Sequence, residues 1–226
     1  MSGARGLVVF DLDGTLVDGY AGISDALGFA MRRMGLLPPT AGQVRGMVGE
    51  GLERLLEKAV GPDRAAEGVT LFRERYEQVA VELTELMPDV REVLDALEAA
   101  SWRMILTSNK PARFSKMILE AKSISRFFQR IEGPDAEAPP KPDPAMLIRA
   151  LRALRITPSE AVVVGDMEID VRFARAAGCR AALVPGGSAA PGELARAGAD
   201  VVLEDLRALP SWLDRLRTPR ATTIPS

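Results

Sequence analysis

The chain has 226 residues, 47% of them hydrophobic, with 29 basic against 31 acidic side chains. That length fits one large domain or a core with a smaller insert, and the near-zero net charge gives no electrostatic ground for nucleic-acid or membrane binding. Histidine is absent and Cys179 is the one cysteine, which excludes a Ser-His-Asp triad, a His-based zinc site and an intrachain disulfide, leaves a hard cation bound by oxygen as the metal such a chain can hold, and makes a reducing cytoplasm the expected compartment.

The first element is Leu7-Val8-Val9-Phe10, ending at Asp11. A continuous apolar run suits a parallel strand buried on both faces. Four residues are too few for a leader or a bilayer span, and no later apolar run is long enough to cross a membrane. From 18 to 85 the pattern changes to helical spacing, over 23–34, 41–48, 52–60 and 69–83, with Pro38-Pro39 and Gly61-Pro62 as punctuation and no convincing strand. The alternation then returns: a helix over 90–100, a strand over 104–107, a weaker strand around 128–132, a helix over 146–154, and a strand over 161–164. A helix over 170–177 and strands over 181–184 and 200–203 complete it. Strand–helix alternation implies a parallel sheet with helices on both faces, so the expected fold class is α/β with an inserted all-helical unit. The expected division is a core of 1–17 and 86–216, a helical insert of 18–85, and a disordered polar tail of 217–226.

Four groups of polar residues fall at the C-terminal ends of these strands or beside them, where open α/β sheets bind ligands. Asp11-Leu12-Asp13-Gly14-Thr15-Leu16-Val17-Asp18 is the first. Residues two apart on an extended segment face the same way, so Asp11 and Asp13 address one site, and Gly14 lets the backbone turn. Thr107-Ser108-Asn109-Lys110 closes the second strand, Lys141-Pro142-Asp143-Pro144 precedes a helix, and Gly165-Asp166-Met167-Glu168-Ile169-Asp170 closes the strand over 161–164. Clustered carboxylates repel unless a cation or a shared proton offsets the repulsion. With a hydroxyl and an ammonium beside them, they suit phosphoryl transfer assisted by a metal.

In this order the four groups resemble those of the haloacid dehalogenase superfamily of aspartyl phosphotransferases, over roughly residues 6 to 210. The resemblance implies a Rossmann-like core and makes the helical insert similar to that family's C1-type cap. It implies that Asp11 is the nucleophile and that Asp13 protonates the leaving alcohol and later deprotonates water, its backbone carbonyl reaching the metal. Ser108 would bind a phosphoryl oxygen and Lys141 would neutralise the phosphoryl group. Asp166 would hold Mg²⁺ together with Asp11, and Asp170 would support the ion.

Asp13 argues against the dehalogenase and phosphonatase branches, which lack a second Asp. The absence of histidine argues against the β-type hexose-phosphate mutases. A phosphomonoester hydrolase remains. Val48-Gly49-Glu50-Gly51-Leu52, Asn109-Lys110-Pro111 and the Lys141–Pro144 string look like phosphoglycolate phosphatases. Departures from that pattern are Glu50 for Asn, Gly19 for Ser, Asp89 for Gly, and Met167 where Ser or Thr is common. The resemblance makes 2-phosphoglycolate the leading substrate, with Asn109, Gly49, Gly51 and Arg45 as candidate binding residues. Another phosphomonoester (a sugar phosphate, amino-sugar phosphate or nucleotide) or pyrophosphate is the alternative within the family. A receiver-like regulatory module or a non-catalytic phosphate-binding protein is the alternative from another class. The expected partner is a small phosphorylated metabolite, with no nucleic acid and no membrane, acted on by a monomer or homodimer.

Overall fold

A computed structural model describes residues 5–134 and 138–217. In chain order the strands are β1 (Leu7–Phe10), β2 (Val17–Asp18), β3 (Glu85–Leu86), β4 (Arg103–Thr107), β5 (Ile131–Glu132), β6 (Ala161–Gly165), β7 (Arg180–Leu183) and β8 (Val201–Val202). The α-helices are α1 (Tyr20–Arg33), α2 (Ala41–Met47), α3 (Leu52–Val60), α4 (Ala65–Val79), α5 (Val90–Ala99), α6 (Ala112–Ala121), α7 (Ala145–Leu154), α8 (Glu168–Ala176), α9 (Pro191–Arg196) and α10 (Ala208–Arg217).

Six strands form one parallel sheet in the order β5-β4-β1-β6-β7-β8. β1 lies at the centre because every residue of it is apolar and can be buried on either face. Val8 and Phe10 join one core cluster with α5, α6 and α10, while Leu7 and Val9 join the opposite cluster with α7 and α8. All four are fully buried, and each contributes about 1.5–3 kcal/mol by leaving water. A charged side chain at Val9 would meet only apolar neighbours and break the sheet at its centre. The chain runs from β1 outward to β4 and β5 on one side, then returns from β5 across the sheet to β6 on the other side of β1. The crevice beyond the carboxyl end of β1 is therefore a topological switch point.

Helices α1 to α4 lie between β2 and β3, with α1 and α3 both packed on α4. Their apolar faces, including Ile23, Leu27, Leu56, Phe72 and Tyr76, merge with the cluster on the Phe10 side of the sheet. Thr40 starts α2 through a capping box: the Gln43 backbone N–H donates to Thr40 Oγ1, and the Thr40 N–H donates to Gln43 Oε1.

The fold class agrees with the sequence expectation; several local details differ. β2 and β3 pair antiparallel, Val17 opposite Leu86 and Asp18 opposite Glu85, in a stretch read as lacking strands. Two-residue strands are too short to give an alternating pattern, and their pairing is set by a partner nearly seventy residues away. α6, α9 and α10 occupy positions with no expected helix. α6 buries Phe114, Ile118 and Leu119 at a spacing of four and five, a helical face masked by the polar residues between them. α1 and α4 each begin before the expected residue, at Tyr20 and Ala65. The expected tail begins at Arg217, which is the last residue of α10; its remainder, 218–226, lies outside the described residues. Among the described residues no helix is long and apolar enough to cross a membrane.

Candidate active site

The four polar groups come together at the carboxyl end of β1, β4 and β6. The Asp11 backbone N–H donates to the Val164 carbonyl at 2.8 Å, which ties the end of β1 to β6. The Gly14 N–H donates to Val17 at 2.8 Å and closes a tight turn after Asp13. Gly14 has φ of +83°, and a Cβ there would lie 2.5 Å from Asp166 Oδ2. Glycine therefore serves both the turn and the approach of a carboxylate.

Lys141 is the hub of the phosphoryl-facing side. Its Nζ donates to Asp11 Oδ1 at 2.9 Å and to Asp170 Oδ1 at 2.8 Å. Burial alone would push this ammonium toward neutrality, but the carboxylates of Asp11 and Asp170 outweigh it and hold the lysine raised and charged. Asp170 caps the start of α8, its Oδ2 accepting from the Met167 N–H at 3.3 Å. It fits because Gly165 has no side chain: a Cβ there would lie 2.2 Å from the Asp170 carboxyl. Burial pushes Asp170 up, and Lys141 acts against that.

One oxygen from each of Asp11, Asp166 and Asp170 lies within 4.8 Å of the others. Asp166 is 1% exposed. Burial pushes its carboxyl well above the usual range, with the Asp170 and Asp11 charges adding to the effect. The Ser188 N–H donates to its Oδ2 at 3.2 Å, and a Cβ on Gly187 would lie 1.6 Å from that atom. An all-oxygen trio, two of its carboxylates buried and Asp11 half-buried, with one lysine against three carboxylates fits a hard divalent cation.

Asp13 faces a different partner. Lys110 Nζ lies 2.9 Å from both of its carboxylate oxygens and also donates to the Tyr76 hydroxyl at 2.5 Å. Burial raises the Asp13 carboxyl, and Lys110 opposes the shift. Burial would lower Lys110, yet the Asp13 carboxylate and the Tyr76 oxygen leave it raised. Ser108 is 3% exposed and its Oγ accepts from the Lys110 backbone N–H at 3.2 Å. Asp11, Asp13, Ser108, Lys110 and Lys141 all line one cavity.

The remaining residues named from sequence have diverse positions. Asn109 spends its amide on backbone: Nδ2 donates to the Gly49 and Lys141 carbonyls at 2.8 and 3.2 Å, and Oδ1 accepts from the Lys141 N–H at 2.6 Å. It lines the cavity but acts there as a clasp between the helical segment and the Lys141 loop. Gly49 and Gly51 line the same cavity, and a Cβ on Gly49 would lie 2.9 Å from the Met167 thioether. Arg45 is not among the lining residues. It lies over the Tyr20 ring at 4.1 Å and pairs with Asp18 at 3.2 Å. Glu50 is likewise outside the lining and pairs with Lys58, which holds its carboxyl low.

The other departures also acquire reasons. Asp89 has φ of +60°, the conformation that favours glycine at that place, and pairs with Arg207 at 3.4 Å. A Cβ on Gly19 would lie 2.4 Å from Asp13 Oδ1, so a larger residue there would press on the carboxylate. The sequence pattern assigns Lys110 no role, although it stands two residues after Ser108. Tyr76 had no signal at all, because on its helix it reads as one more apolar-face residue.

A family model described as haloacid dehalogenase-like hydrolase matches residues 8–184. A phosphoglycolate phosphatase from Pseudomonas savastanoi pv. phaseolicola is 36% identical over 220 residues, 92% of this chain and 80% of that one. A plasmid-encoded phosphoglycolate phosphatase from Cupriavidus necator is 34% identical over 216 residues, 93% of this chain and 94% of that one. In three dimensions a haloacid dehalogenase-like family hydrolase from Streptococcus pneumoniae aligns with a TM-score of 0.85 at 26% identity, covering 92% of this chain and 97% of that one.

Proposed function

Because the chain belongs to the haloacid dehalogenase-like hydrolases and is a phosphoric monoester hydrolase, we propose that it is a Mg²⁺-dependent cytoplasmic phosphatase converting 2-phosphoglycolate to glycolate through a phosphoryl-Asp11 intermediate. The observation that carries the chemistry is the separation of the two carboxylates by partner: Asp11 is held by Lys141, whereas Asp13 is held by Lys110. One is then fixed for attack on phosphorus and the other for proton transfer at the ester oxygen.

In this reading an Asp11 oxygen attacks phosphorus as the P–O ester bond breaks. Asp13 gives its proton to the departing alkoxide, so the product leaves as an alcohol. Asp13 then takes a proton from water, and the resulting hydroxide attacks phosphorus and releases inorganic phosphate and free Asp11. Lys141 balances the phosphoryl charge, and Ser108 donates its hydroxyl to a phosphoryl oxygen. Asp11, Asp166 and Asp170 would hold Mg²⁺, with the Asp13 carbonyl as a further ligand; the ion supplies electrophilic stabilisation of the phosphoryl oxygens.

The substrate assignment is supported by the relatives' names and by the small, largely apolar cavity around the polar end. Residues 18–85 serve as a cap over a core of 1–17 and 86–216, hinged at 18–20 and 86–89. The adjacency of β2 and β3 supports that division, because both crossings of the chain lie side by side. The cytoplasmic placement rests on the single, buried, free Cys179.

Phosphate release from a panel of phosphomonoesters, with Mg²⁺ and with EDTA, tests the reading. The expected result is Mg²⁺-dependent turnover highest for 2-phosphoglycolate and abolished in Asp11→Asn. Preference for another ester would reassign the substrate while keeping the chemistry. Undiminished turnover by Asp11→Asn would overturn the mechanism.

A further inference from the structure

Resting on the phosphatase reading above, we propose that Lys110 Nζ and the Tyr76 hydroxyl form a receptor for a second anionic group, a carboxylate carried on the leaving-group side of the phosphomonoester. Two cationic side chains line the cavity, Lys141 and Lys110. Lys141 lies between Asp11 and Asp170, at the end where phosphorus reacts. Lys110 lies beside Asp13, at the end from which the alcohol departs. The cavity's lining includes the apolar side chains of Ile23, Leu52, Leu55, Phe72 and Phe114, and the last two pack on the Tyr76 ring beside Lys110. An anion placed against such a wall without a partner loses its hydration with no compensation. Arg45 is held over Tyr20 and Asp18 and does not line the cavity. Asn109 has committed its amide to backbone groups.

Tyr76 supplies the independent observation. The residue is 2% exposed, and its oxygen accepts from Lys110. Among the described residues its hydroxyl hydrogen is donated to no acceptor. A phenol is both donor and acceptor, and a buried O–H left unpaired is costly. A carboxylate lodged against Lys110 and Tyr76 accepts from both and satisfies that donor. The Tyr76 ring is fixed by stacking on Phe72 and an edge contact with Phe114, so the hydroxyl is aimed before any ligand arrives. Lys110 comes from the loop after β4 and Tyr76 from α4, so the receptor is complete only while α4 lies against the sheet domain.

The test compares 2-phosphoglycolate with ethyl phosphate, which has the same two-carbon chain and a methyl group in place of the carboxylate. The readout is the ratio of kcat/KM for the two esters, in the wild type, Tyr76→Phe and Lys110→Met. We expect a wild-type ratio of at least about 100, reduced about tenfold in Tyr76→Phe and lost in Lys110→Met. Tyr76→Phe keeps the ring packing, so it decides the matter even if Lys110→Met fails to fold. A wild-type ratio near one, or a ratio unchanged in Tyr76→Phe, overturns the receptor while leaving the phosphatase reading standing. Failure to hydrolyse either ester or an aryl phosphate overturns both.

Discussion

Replacing Asp166 by Asn should make the metal-free protein more stable and remove its response to Mg²⁺. The oxygens of Asp11, Asp166 and Asp170 lie within 4.8 Å of one another. At that distance two unit charges repel by about 3.5 kcal/mol at an effective dielectric of 20. Lys141 offsets the charges of Asp11 and Asp170 at 2.9 and 2.8 Å, whereas the groups bonded to Asp166 are the Ser188 N–H and, at 3.5 Å, the Thr15 hydroxyl. Asp166 is thus the carboxylate whose ionisation costs most. An amide of the same shape removes that cost and keeps an oxygen for the Ser188 N–H. The assay is thermal unfolding in EDTA and in saturating Mg²⁺. A ligand at a hundred times its Kd stabilises the folded state by about 2.7 kcal/mol, which for a chain of this size is a rise in Tm of about 5–10 °C. The wild type should show that rise. Asp166→Asn should melt at or above the wild type in EDTA and gain little from Mg²⁺. A variant that melts well below the wild type in EDTA yet keeps the full Mg²⁺ rise would refute the carboxylate-trio argument.

The same trio sets a pH dependence. Burial raises Asp166 above its unfolded value, so the folded state binds the proton more tightly. In EDTA that contribution is therefore fully present below about pH 4 and is lost as pH rises through the folded value. The stability difference between Asp166→Asn and the wild type should grow over that rise; a difference that shrinks would contradict it. Lys141→Met should leave Asp11 and Asp170 buried without a counter-charge, lowering stability by about 3–5 kcal/mol in urea unfolding and abolishing phosphate release; a fully active, equally stable variant would remove Lys141 from its assigned place. Gly187→Ala puts a Cβ where Asp166 Oδ2 now lies, so the Mg²⁺-induced rise in Tm should fall by more than half; an unchanged rise would show that the carboxylate has room to move. Cys179 is buried, with its thiol pushed up to about 11. Iodoacetamide at pH 8 should leave it unmodified in the native protein and alkylate it in urea, as mass spectrometry would report; rapid native alkylation would contradict the burial.

The amino-acid sequence determined the layered architecture and the position of the polar crevice. Short all-apolar runs such as Leu7–Phe10 can be satisfied only by burial on both faces, as happens here. The carboxylates, hydroxyl and lysine follow those runs directly, so the strand ends carry them to one edge. These are local facts, readable within a few residues of each motif. Tertiary structure decided what each charged group faces. Asp11 and Asp13 are two residues apart, yet one meets a lysine 130 positions away and the other a lysine 97 positions away. Arg45 is a candidate substrate-binding residue in the sequence, but in the fold it lies on Tyr20 and Asp18 and does not line the cavity. Glu50 departs from the Asn of the resembled pattern within a glycine-rich loop, and in the fold it pairs with Lys58 and is not among the residues lining the cavity. Tyr76 lies within the expected helix over 69–83 with nothing to mark it, and in the fold it joins the core while bringing a buried hydroxyl to Lys110. Hydrophobic periodicity is a property of neighbouring residues and survives in one dimension. Ion pairing and hydrogen bonding depend on distances of about 3 Å between residues remote in sequence, which exist only once the chain has packed.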